Sequence, residues 1–189
     1  MKLPEGIAPY LGIIAPIVAF SVIGTAILTH PWFSFRQNAL SDLGNPDVEM
    51  NWIFNSGLIL GGLLGLLFAM DLIGRVSGAE RFGAVILALA MISLVMIGVF
   101  PEGTSLHFPS AISFYLLSAA AMTVFGAIWT LSSAERWLGV LSLILVIAGI
   151  TIATIPDWDG IAIPETAGAV IIFIWVYMLI WQTYPSLSG

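Results

Sequence analysis

The sequence predicts an all-α fold, a polytopic integral membrane protein built as a bundle of six transmembrane helices. Three observations carry this. The 189 residues are 59% hydrophobic and 8% charged, with a mean hydropathy of +1.05, whereas a soluble domain has about 25% charged residues. Six apolar stretches are long enough to cross a hydrocarbon core about 30 Å thick, which needs ~20 helical residues. None shows the period-two alternation of barrel strands. The same composition argues against a water-soluble enzyme, a disordered chain and a coiled coil. Five Lys and Arg against eleven Asp and Glu leave no basic patch for nucleic acid. There is no cysteine, hence no disulfide and no thiolate metal site.

The spans fall at roughly 8–29, 51–73, 82–100, 108–131, 137–155 and 165–184, in one domain covering 1–189. The first is too long for a signal-peptide core and reads as a retained helix. Segment 30–50 follows; it is as long as a span but too polar to cross. Its part Trp32-Phe33-Ser34-Phe35-Arg36-Gln37-Asn38 mixes aromatic and polar groups, and belongs in the interface or over the bundle mouth. Asn45-Pro46-Asp47 reads as a helix N-cap, a first-turn proline and a first-turn acid, and so as the start of helix 2. Helix 2 carries Asn55 one turn in. Gly57, Gly61 and Gly65 follow at four-residue spacing, which lets helices approach closely. Asp71 and Arg75 near its end are placed to pair or to snorkel.

Helices 3–4 and 5–6 read as a parallel repeat. A shift of 55 residues lays Ser77-Gly78-Ala79-Glu80-Arg81-Phe82 on Ser132-Ser133-Ala134-Glu135-Arg136-Trp137. The same shift lays Phe100-Pro101-Glu102 on Ile155-Pro156-Asp157, and Pro109 on Pro164. Secondary transporters instead tend to use inverted three-helix repeats. No charge, and on this reading no proline, interrupts the middle of a span, which argues against a proton relay or voltage sensor.

Charge sets the orientation. With both termini cytoplasmic, Lys2, Arg75, Arg81 and Arg136 lie inside and only Arg36 lies outside, as the positive-inside rule asks. Most acids then face out. Trp32, Trp52 and Trp158 mark the outer interface, and Trp129, Trp137 and Trp181 the inner one.

Chemistry-bearing residues gather at the outer mouth. Glu102, His107, Asp157 and Glu165 flank helix ends there, and Asp42 hangs above them from the first loop. Carboxylates with one imidazole suit a divalent cation, or acid–base work on a lipid headgroup. Plain solvated caps are the competing reading. His30 best fits a helix C-terminus, where an imidazole meets free carbonyls; an axial haem pairing with His107 is the remote alternative. Ser113 lies six residues after His107, an awkward spacing for a Ser–His hydrolase.

The stretch Asn38-Ala39-Leu40-Ser41-Asp42-Leu43-Gly44, then Asn55 and Gly57, then Phe100-Pro101 and His107, resembles an uncharacterised archaeal and bacterial membrane family, domain of unknown function 998. The resemblance covers nearly the whole chain and implies a prokaryotic plasma membrane. The family often has Gly-x-x-Glu-Arg before its last helix; here Glu165 matches the acid and Thr166 replaces the arginine. Ser41-Asp42-x-Gly44 is more weakly similar to the six-helix Frag1/DRAM/Sfk1 proteins.

The leading expectation is a mouth that binds a lipid headgroup or divalent cation, with hydrolytic or transfer activity as its extension. Glu102 and His107 are the catalytic candidates. Arg36, Asn38, Ser41, Asp42, Asn55 and Glu165 are the ligand-binding candidates, with Arg36 and Asn38 positioning an anionic headgroup. Glu102, His107 and Asp157 form the metal candidate. A small transporter or channel is the first alternative. The second is a non-catalytic scaffold that meets a second copy, or another membrane protein, through helix 2.

Overall fold

The computed structural model describes residues 6–154 and 158–184. Six helices cover most of them: α1 (Ile7–Thr29), α2 (Trp52–Arg75), α3 (Gly78–Val99), α4 (His107–Leu131), α5 (Arg136–Thr154) and α6 (Ala162–Thr183). A short 3-10 turn, Leu40–Gly44, interrupts the connection between α1 and α2. All six helices are long and apolar enough to cross a membrane. The chain is an integral membrane protein.

Successive helices pack against each other, and α6 closes the ring on α1. Phe20 and Phe173 meet there with ring centroids 5.6 Å apart, and the Tyr177 hydroxyl donates to the Ile13 carbonyl. Helix α5 stands outside the ring. Only Leu138, Gly139 and Ser142 near its start are buried. Across that gap Phe125 of α4 touches Trp175 of α6 directly. The segments 30–51, 100–106 and 158–161 lie at one end of the bundle, here the loop end.

The glycines of α2 explain how tightly the first three helices pack. A Cβ on Gly57 would lie 2.4 Å from Val22 of α1, and one on Gly61 3.2 Å from Ala19 and 3.3 Å from the Ala15 carbonyl. On Gly65 it would meet Met91 of α3 at 2.4 Å. Close approach through small residues replaces the hydrophobic drive that lipid cannot supply. The ridge that α2 turns outward is Leu60, Leu63 and Leu67. The small-residue stripe of α2 is therefore used inside the chain, between α1 and α3.

Two boundaries shift from the sequence reading. Helix α3 starts at Gly78 rather than Phe82, because the polar turn Glu80-Arg81 is already helical. Helix α6 starts at Ala162 rather than Glu165, since a first-turn proline, here Pro164, needs no N–H partner. Asn45 does not start α2. Its Oδ1 accepts from the Asp47 N–H in a local turn, and α2 begins after Asn51. Pro16 sits inside α1, contrary to the uninterrupted reading of the spans. It has no N–H, so the Gly12 carbonyl lacks its helical donor.

The far ends of the two later hairpins share contacts. Arg81 Nε donates to the Ile73 and Val76 carbonyls at the end of α2, and Arg136 Nε donates to Thr130 O at the end of α4. Glu80 accepts from Trp129 Nε1 at 3.3 Å, and Glu135 accepts from Gln182 Nε2. Glu80 and Glu135, and Arg81 and Arg136, correspond under the 55-residue shift, but their partners do not fall 55 residues apart. At the loop end the comparison partner Ile155-Pro156-Asp157 lies outside the described residues, as do Lys2 and Glu5. Trp129, in the last turn of α4, is buried against neighbouring helices, whereas Trp32, Trp52, Trp137 and Trp181 are exposed.

Candidate mouth at the loop end

Segment 30–51 folds back over the bundle as a strap, and most of the singled-out polar residues hold it there. The Asn38 Oδ1 accepts from the Ser34 N–H at 2.9 Å, and its Nδ2 donates to Asp42 Oδ2 at 3.1 Å. The same Asp42 oxygen accepts from the Ala39 N–H at 3.0 Å. Asn55 Nδ2 donates to the Gly44 carbonyl at 2.9 Å, which ties the strap to α2. Gly44 is required by closeness, since a Cβ there would lie 2.4 Å from Asn55 Oδ1.

Three further ties reach the other helices. The Ala162 N–H donates to the Asn38 carbonyl at 2.9 Å. The Leu40 N–H donates to Glu165 Oε2 at 2.6 Å. On the α1 side, both ring nitrogens of buried His30 meet carbonyl oxygens, Ala26 O at 2.6 Å and Glu49 O at 2.7 Å. That is the helix C-terminal role expected of it, and it leaves His30 no nitrogen for a haem iron. Gly160 passes so near the strap that a Cβ would lie 2.4 Å from Asn38 N.

Beneath the strap lie two cavities. One, of about 130 Å³, runs down the middle of the ring. Gly12 and Pro16 of α1, Gly61 and Gly65 of α2, Met91 of α3 and Phe173 of α6 are among its walls. The other, of about 390 Å³, lies between α4, α5 and α6. Some of its lining side chains, Leu116 and Ile150 among them, are also exposed on the outer surface, so it opens sideways into the apolar belt. Both cavities are walled by apolar side chains over nearly all of their depth. They share six residues, from the loop end down to the middle of α6: Ser41, His107, Ala111, Tyr115, Glu165 and Ile172.

That shared wall is the polar node of the molecule. His107 Nδ1 faces the Phe100 carbonyl at 3.0 Å, and Nε2 lies 2.8 Å from Glu102 Oε2. A carbonyl only accepts, so Nδ1 carries a proton. The second contact then needs one proton between Nε2 and Glu102. The imidazole is 7% exposed and the carboxylate 37%, so the pair reaches from the interior to the surface. The Tyr115 hydroxyl donates to the Glu165 backbone carbonyl at 3.0 Å. Ser41 is 5% exposed, and its hydroxyl makes no hydrogen bond among the described residues.

The sequence-based site thus divides. Ser41, Glu102, His107 and Glu165 come together. Asn38, Asp42 and Asn55 lie close by but serve the strap. Arg36 is exposed on top of the strap and lines neither cavity. Asp157 lies outside the described residues. Among the described residues no three His, Asp or Glu side chains are grouped to hold a metal ion, and both His107 nitrogens are already engaged. Tyr115, Ala111 and Gly160 were missed. A small residue and an aromatic on an apolar helix carry no sequence signal, because only the packing of α4 against α6 gives them a role.

These features define a class: a six-helix integral membrane protein with a strap-covered mouth that joins a polar node to apolar cavities. The chain belongs to the family described as protein of unknown function DUF998, whose model matches residues 13–182. No curated protein and no solved structure matches it.

Proposed function

We propose that this protein binds a membrane amphiphile, with the polar end at Ser41, Glu102, His107 and Glu165 and the apolar chain in the cavities below. One observation carries the reading: a single polar node is the common wall of two apolar cavities, one of which opens sideways toward lipid. Binding sites are concave and mostly apolar, with a few convergent polar groups that fix orientation. A hydrated cation has no use for long apolar walls, and His107 Nε2 is already paired with Glu102. The loop end faces outward and both termini face the cytoplasm, which keeps Arg75, Arg81 and Arg136 on the inner side.

The test fills the shared wall. Ala111→Trp places a large ring where both cavities meet. Protein purified in mild detergent carries a stoichiometric amphiphile, read by solvent extraction and mass spectrometry. The variant loses it while keeping its helical content and elution volume. Equal amounts retained by the two proteins, at full helicity, would remove the proposal.

A further inference from the structure

We infer that the polar end of the bound amphiphile is a hydrogen-bond donor without negative charge, a hydroxyl or an amine, rather than a phosphate or carboxylate. This rests on the amphiphile-binding reading. It follows from which donors and acceptors around the node are already spent.

The donors are used within the protein. The Tyr115 hydroxyl goes to the Glu165 carbonyl. His107 Nδ1 goes to Phe100 O, and the proton on Nε2 is shared with Glu102. The Leu40 N–H goes to Glu165, and the Asn38 amide goes to Asp42. The acceptors are not all used. Among the described residues Glu165 receives only the Leu40 N–H, through Oε2. Glu102 is engaged through Oε2 alone. No Lys or Arg lines either cavity, and the cation nearest in sequence, Arg36, is exposed on the strap. Neither Arg36 nor Asn38, the two residues expected to position an anionic headgroup, lines a cavity.

The second observation is Ser41. Its side chain is almost wholly buried, lines both cavities and makes no hydrogen bond among the described residues. Its hydroxyl borders open cavity space instead of a protein partner, and so is available to a ligand there. A ligand hydroxyl beside it accepts the Ser41 proton and donates its own to the free oxygen of Glu165. An ammonium donates to Glu165 and Glu102 and accepts nothing. An anionic group finds one free donor, Ser41, no Lys or Arg, and two carboxyl groups that present oxygens to it, an arrangement that selects against it.

The experiment uses a tail-matched series on the full chain in detergent: radiolabelled hexadecanol, hexadecylamine and hexadecanoate, by scintillation proximity at pH 8. The alcohol and the amine bind at least about tenfold more tightly than the carboxylate. Ser41→Ala weakens the alcohol and spares the amine. Glu165→Gln removes most of the discrimination against hexadecanoate. Hexadecanoate binding as tightly as the alcohol overturns the inference but leaves the amphiphile reading standing. Binding of none of the three probes, together with an Ala111→Trp variant that keeps the wild-type lipid, overturns both.

Discussion

At the residue scale, the polar residues of the mouth do two different jobs, and their hydrogen bonds separate them. Asp42 uses one oxygen to hold the Asn38 amide and the Ala39 N–H together. Replacing it by Ala leaves two donors without partners, at ~1–3 kcal/mol. We expect Asp42→Ala to lower the unfolding temperature in detergent and to speed hydrogen exchange at Ala39 and Leu40. Unchanged exchange at those two amides would show that the strap is held by other means. Ser41, one residue earlier in the same turn, has the opposite character. Its hydroxyl is committed to nothing in the protein, so Ser41→Ala leaves the fold intact and shows itself in ligand binding. The sequence marks both as members of one polar motif. Only the fold tells them apart, because the 3-10 turn puts Leu40 and Ser41 on the cavity wall and Asp42 on the strap.

At the element scale, α2 is the keel of the bundle. Its glycines receive α1 on one side and α3 on the other, with gaps too small for a Cβ at Gly57 and Gly65. Gly61→Leu would force α1 away from the Ala15 and Ala19 contact, and overpacking of this kind costs ~1–3 kcal/mol. The expected result is a lower melting temperature and weaker protection of the α1 backbone. Leu60→Ala, on the ridge that faces outward, leaves the melting temperature nearly unchanged. If instead Gly61→Leu spares stability and only dissociates an oligomer, the internal packing of that stripe is wrong. Helix α5 is the contrasting element. Its fully buried residues lie near its start, and farther along Leu145, Val146, Gly149 and Ile150 line the larger cavity.

At the scale of the whole molecule, orientation is the consequence easiest to check, since the chain has no cysteine of its own. A single cysteine at Asp47 should react with a membrane-impermeant maleimide on intact cells. One at Ser77 should react only after permeabilisation. The reverse pattern would place the mouth on the cytoplasmic side. The six helices, and the gathering of acids toward one end, were legible in the sequence because hydropathy and proline-acid punctuation are local properties. The start of α2 was not, since Asn45 looks like a cap until its partner is known to be the nearby Asp47 amide. The family resemblance was legible too, because its motif lies in one contiguous strap. What the sequence alone determined is the class of molecule: a lipid bilayer admits only helices and closed barrels, and six long apolar stretches without period-two alternation are helices. What the tertiary structure decided is which polar residues hold the strap and which line the cavities. That division depends on hydrogen bonds between residues as far apart as Leu40 and Glu165, and on the space that α5 leaves beside α4 and α6. Neither is encoded in any local pattern, because both arise only when separate helices share one neighbourhood.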